Sequence, residues 1–113
     1  MPQAARLNDS VAGMTAGEHS GHVLTPHPPV SFTGNITSGC SPNVFINGRA
    51  AATKGSITTE YDSCCGSSNG SVAGGSTSVF INGKAAARKG DALNAHSGSG
   101  SITSGSENVF IGG

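Results

Sequence analysis

A chain of 113 residues has room for one domain, and six basic side chains balanced by six acidic ones give no electrostatic footprint for nucleic acid or an anionic membrane. Ile, Leu, Val and Phe supply about a sixth to a fifth of the residues and Gly and Ser about a third, which favours turns and short strands and leaves a core too small to stand without a metal, disulfides or a partner. No apolar run resembles a signal-peptide core or a membrane span, which places the protein in the cytoplasm without stable membrane insertion, and three cysteines, two of them adjacent, make a poor disulfide framework.

The chain opens with Pro2-Gln3-Ala4-Ala5-Arg6-Leu7-Asn8-Asp9, an Ala-rich strand running into a turn. A long variable loop, residues 10–35, carries three prolines and His19, His22 and His27. Ile36-Thr37-Ser38-Gly39 then leads to Val44-Phe45-Ile46 and to Asn47-Gly48, the dipeptide best suited to a type I′ hairpin because both residues tolerate positive φ. Residues 49–56 repeat the opening pattern, a second loop at 57–69 holds Cys64-Cys65, and Val72-Ala73-Gly74-Gly75 leads to Val79-Phe80-Ile81-Asn82-Gly83. Residues 84–91 repeat the pattern again, a third loop at 92–100 holds His96, and Ile102-Thr103-Ser104-Gly105 leads to Val109-Phe110-Ile111-Gly112-Gly113.

The Ala-rich continuation missing after the third copy is found at the start of the chain, so the repeat is cyclic, with units at approximately 2–48, 49–83 and 84–113 and the termini meeting at the third hairpin. The predicted fold is all-β: a small three-unit β-hairpin repeat with pseudo-threefold symmetry. Strand alternation sends Val and Ile to one face and Phe to the other, so Phe45, Phe80 and Phe110 are expected as equivalent positions, read first as packed aromatics, with either Phe or Val and Ile facing out from the hairpins. Three equivalent hairpins in one chain present a threefold face, which suits a trimeric partner.

Imidazole and thiol side chains concentrate in the variable loops, at least one per unit, as a metal on a threefold axis requires. Zinc takes such mixed ligands in a tetrahedron, and a structural site closes it with four of them. The set is His22, His27, Cys65 and His96. His19 rivals His27, because His19-Ser20-Gly21-His22 could itself chelate, and Cys64 rivals Cys65, which is placed first by its alignment with His96. Cys40 reads as a buried structural thiol. Enzyme signatures are missing: Glu18-His19-Ser20-Gly21-His22 is not a His-Glu-x-x-His helix, and neither a nucleophile elbow nor a phosphate loop occurs. A small zinc hydrolase would need a water-bound metal and a general base. A Gly/Ser-rich β-solenoid that binds surfaces would need an open array of equal repeats, whereas these repeats are unequal and cyclic.

The Pro-Gln-Ala-Ala-Arg opening, its echoes at 50–56 and 85–91, and the Val-Phe-Ile-Asn-Gly strands resemble the PAAR (proline-alanine-alanine-arginine) repeat family across essentially the whole chain. The resemblance implies a cone of β-hairpins with zinc near the apex, held by three histidines and one cysteine, here His22, His27, His96 and Cys65. It further implies a single copy seated on the blunt end of a trimeric VgrG-type spike, in type VI secretion or on a phage tail, secreted when the apparatus fires. Longer members carry effector domains; none is expected here, and effectors are expected to bind separately. The sequence departs from the pattern at Gln3, Ala50, Ala85, Thr53 and Ser56, which puts the second unit's base contacts in question.

Overall fold

In the computed structural model, which describes residues 2–14, 31–62, 66–94 and 99–112, much of what the sequence reads as variable loop forms the main sheet. Among the described residues ten strands follow in order: β1 (Ser10–Met14), β2 (Ser31–Ser38), β3 (Phe45–Ile46), β4 (Arg49–Ala50), β5 (Ile57–Asp62), β6 (Gly66–Val72), β7 (Phe80–Ile81), β8 (Lys84–Ala85), β9 (Leu93–Asn94) and β10 (Ser99–Ile102). Six of them form one antiparallel sheet in the order β10-β1-β2-β5-β6-β9. An isolated bridge between Ala92 and Ser101 ties the two edges together, so the sheet is nearly closed and barrel-like. The fold is all-β, and among the described residues no helix is long and apolar enough to cross a membrane.

Few apolar residues suffice because the barrel is narrow. Val11, Phe32, Ile36, Val72, Leu93 and Ile102 point inward and pack with Ala5, Ala52 and Ala87, while Thr33, Asn35, Thr37, Tyr61, Ser67 and Asn69 alternate outward and are exposed, the period-2 pattern of a sheet wet on one face. Toward the upper end the inward positions of β1 and β10 are Gly13 and Gly100, and a methyl on either would lie 2.7 Å from the tip of the Phe32 ring. One aromatic ring thus fills space that side chains from three strands would otherwise share. Period-2 alternation with so few large residues is a weak signal, which is why these strands read as loops.

The lower end is built on alanine. Ala5 N–H donates to the Ala87 carbonyl, Ala52 to Ala5 and Ala87 to Ala52, each at 3.0 Å, a closed ring of three backbone bonds. Ala4, Ala51 and Ala86 beside them are fully buried and pack with Ile46, Ile81 and Ile111. Three backbones meeting this closely leave room for a methyl and little more. The chain ends complete the arrangement: Gln3 pairs with Phe110, and Ile111 N–H donates to the Pro2 carbonyl at 2.9 Å. The described residues extend over 44 × 24 × 23 Å.

Candidate functional site

At the lower end two hairpins project, β3–β4 and β7–β8, each turned by two residues: Asn47 and Gly48 at φ 54° and 77°, Asn82 and Gly83 at 53° and 80°. These are the left-handed conformations expected of Asn-Gly. Phe45 opposes Ala50, Phe80 opposes Ala85, and Phe110 opposes Gln3 in the bridge between the chain ends. The three rings are exposed, 60%, 60% and 47%, which corrects the expectation of packed aromatics. Ile46, Ile81 and Ile111 take the inward positions against the alanine cluster, and no second layer covers the outward ones among the described residues. Val44 and Val79 are also exposed instead of sharing the isoleucines' burial, because each lies just outside a two-residue strand and its alternation. Together these residues form an apolar ring around one end of the molecule.

Three serines brace this ring. Ser41, Ser76 and Ser106 are buried, and each hydroxyl accepts the N–H of the valine three residues on, at 3.0, 2.9 and 3.0 Å. Each then donates to the neighbouring turn: Ser41 to Asn82 Oδ1, Ser76 to the Gly112 carbonyl, Ser106 to Asn47 Oδ1. Sequence reasoning passed over them, although a serine three residues before each Val-Phe-Ile was the available signal. Serine is abundant throughout, which hid its regularity.

Above the ring, each Ala-rich segment ends in a capped turn. Arg6 and Arg88 donate backbone N–H to Asp9 and Asp91 at 2.7 Å, and their guanidinium groups bond the same carboxylates. The middle unit has Thr53 and Ser56 in these places, and Ser56 Oγ accepts the Thr53 N–H at 2.9 Å while donating to the Gly39 carbonyl. The backbone contact is therefore kept without charge, which answers the question raised by the departures at these positions. Asp9 is the hub: it also accepts from Arg49 NH2 and Ser104 Oγ. Its burial opposes ionisation, but the bonds from the Arg6 side chain and backbone and from Ser104 outweigh this and hold its carboxyl below the usual carboxylate range. Beside it an open hollow of about 340 Å³ is lined by Arg6, Asn47, Gly105, Glu107 and Asn108.

The candidate metal ligands His22, His27, Cys65 and His96, and their rivals His19 and Cys64, lie outside the described residues. The strands adjoining their segments are described. Met14 pairs with both Ser31 and Ser99, and Phe32 pairs with Asp62, itself opposite Gly66. The strand ends that flank residues 15–30 and 63–65, and the start of β10 after residues 95–98, thus share the upper end of the sheet, opposite the exposed phenylalanines. Just below, Glu60 is fully buried and its carboxylate accepts a bond from the Thr58 hydroxyl. It lies over Gly70, where a methyl would collide with Glu60 Oε2 and come within 2.7 Å of the Asn94 carbonyl. Glu60 is a residue the sequence reading missed, since a glutamate between Thr59 and Tyr61 reads as solvated. Cys40 is a free, half-buried thiol packed against the core cluster. Burial pushes its thiol above the usual range, partly offset by Ser56, which suits a packing role better than a nucleophile.

A protein-family model described as the PAAR motif matches residues 15–98, well over half of the chain. A comparison with curated proteins finds no match.

Proposed function

The chain belongs to the PAAR motif family, a family of structural spike tips and not of enzymes, and from that premise we propose that it caps a trimeric VgrG-type spike of a type VI secretion system, one copy per trimer, as the tip that leads membrane puncture and effector delivery. The observation that carries this reading is the exposed ring of Phe45, Phe80 and Phe110 on strands held by matching backbone bonds: Ala51 N–H to Val44, Ala86 to Val79 and Ala4 to Val109, at 2.9, 3.0 and 2.9 Å. Together with the three-alanine ring these equivalences support a pseudo-threefold axis along the molecule. A single chain whose end repeats three times meets all three chains of a trimer at once, and three contacts at fixed spacing reinforce one another. Large exposed apolar rings on a monomer mark an interaction surface.

We further propose that His22, His27, Cys65 and His96 would hold a zinc ion, which would serve as a structural staple. The donor set would suit zinc, since His22, His27 and His96 would supply three imidazoles and Cys65 a thiolate, and four protein ligands are what a structural zinc takes. The described strand ends adjoining these segments share one end of the sheet, as a shared ion requires. A nearly closed sheet with paired chain ends disfavours an open-ended solenoid. Light scattering of the tip mixed with a VgrG-type trimer tests the reading: one tip per trimer is expected, and three per trimer would refute the cap. Metal analysis should find about one zinc per chain, and full occupancy in His96→Ala would refute the ligand set.

A further inference from the structure

The protein has no net charge, yet its charges are segregated along the chain. All six basic residues, Arg6, Arg49, Lys54, Lys84, Arg88 and Lys89, belong to the segments of the lower end, together with Asp9, Asp91 and Glu107. The other three acidic residues, Glu18, Glu60 and Asp62, belong to the upper strands and the segments between them, which hold no basic residue. Arg6, Arg49 and Arg88 are tied to Asp9 and Asp91. The three lysines are exposed, and no ion pair within reach of a lysine is formed among the described residues.

The lysines stand beside the aromatic ring. Lys54 N–H bonds the carbonyl of Ala85, the residue opposite Phe80; Lys89 N–H bonds the carbonyl of Gln3, the residue opposite Phe110; Lys84 is paired with Ile81, next to Phe80. Beside Phe45 the corresponding bond is made by Leu7, to Ala50. The docking end is therefore an apolar ring with a basic rim on two of its three sides. We infer that the spike surface it seats on is an apolar end rimmed by acidic side chains, and that charge steers the two together. This rests on the cap reading above. Steering by complementary charge acts chiefly on the association rate and weakens with salt. An anionic lipid surface is the other occupant such a face suggests, but three lysines fall short of the roughly four to eight of a polybasic lipid-binding cluster, and rings fixed on short hairpins match a protein end of fixed spacing.

The test is the association rate of the tip with a purified VgrG-type trimer, measured by stopped flow or biosensor from low to high salt. Wild type should associate about tenfold faster at low salt than at high salt. Lys54→Glu/Lys84→Glu/Lys89→Glu should lose at least that factor, Lys54→Arg/Lys84→Arg/Lys89→Arg should retain it, and dissociation should change little in either. Circular dichroism checks that the variants fold. If wild type binds one per trimer but the Glu variant and salt leave the association rate within twofold, the acidic-rim inference is overturned while the cap reading stands. Failure of wild type to bind overturns both, as does binding to phosphatidylglycerol vesicles in place of the trimer.

Discussion

Asp9→Asn is the most informative single change, because it keeps the shape of the side chain while removing the charge that three segments share and turning one of its acceptor oxygens into a donor. Asp9 is 2% exposed and accepts bonds from Arg6 N, Nε and NH2, Arg49 NH2 and Ser104 Oγ. The Arg6 side chain is 12% exposed and cannot find full compensation in water, whereas Arg49, 35% exposed, largely can. Breaking a buried charge pair from one side costs about 3–5 kcal/mol, and partial access of water to Arg49 brings the expectation to about 3 kcal/mol. For a domain of this size that is a fall in Tm of about 12 °C or more. Asp91→Asn provides the internal comparison: its carboxylate is 10% exposed and bonds one arginine, so about half the loss is expected. Denaturant unfolding at pH 7 measures both, and equal losses, or a loss below about 1 kcal/mol for Asp9→Asn, would refute the hub assignment.

The pH dependence follows from the same carboxylate. Its folded form binds a proton less readily than the ordinary carboxyl of the unfolded chain, so the unfolded state carries more protons and stability rises with pH across that window. The contribution is complete above the unfolded value, about pH 3.9, and is lost as the pH falls through the lower folded value. Acid titration of wild type should show this limb, and Asp9→Asn should flatten it.

Ser106→Ala should cost about 1–2 kcal/mol by urea unfolding, because it strips the cap from Val109 and a bond from Asn47 in a fully buried position. Gly70→Ala should lower Tm sharply, an overpacking loss of about 2 kcal/mol or more, since its methyl would collide with the buried Glu60 carboxylate and press on the Asn94 carbonyl. Phe80→Asp should leave stability within about 0.5 kcal/mol, its ring being 60% exposed, while abolishing trimer binding in a pull-down; retained binding would refute the docking face.

The repeat was legible because it rests on local chemistry. Asn47-Gly48 and Asn82-Gly83 force their own turns, and the Ala-Ala pairs mark positions where backbones crowd, so the two internal hairpins and the meeting of the chain ends follow from the residues alone. The main sheet was not legible. Its inward positions include Gly13, Gly34, Gly70 and Gly100, and its interior is filled from across the barrel by Phe32 and Glu60. No single strand therefore displays the apolar alternation that would reveal it. The exposure of the phenylalanines was hidden for a related reason: alternation tells which side chains share a face but not which face is covered. Of the candidate site, the docking ring was legible as three matched strands and the serines by their fixed spacing ahead of each valine, whereas the bonds those serines make to neighbouring turns and the Asp9 hub depend on contacts between units that no sequence window contains.

The three-alanine ring also has a temporal meaning. Each of its bonds joins one repeat to another, Ala5 to Ala87, Ala52 to Ala5 and Ala87 to Ala52, and Gln3 meets Phe110. A growing polypeptide therefore cannot close the ring until the start of its last repeat has been synthesised, and the Ala5 N–H must wait for the Ala87 carbonyl even after Ala52 has bonded Ala5. Contacts this distant in the chain require loop closure before they return any stabilisation, so folding is slow and late. Once formed, the same connectivity works in reverse, because no repeat can detach without opening the others, and unfolding has no easy first step.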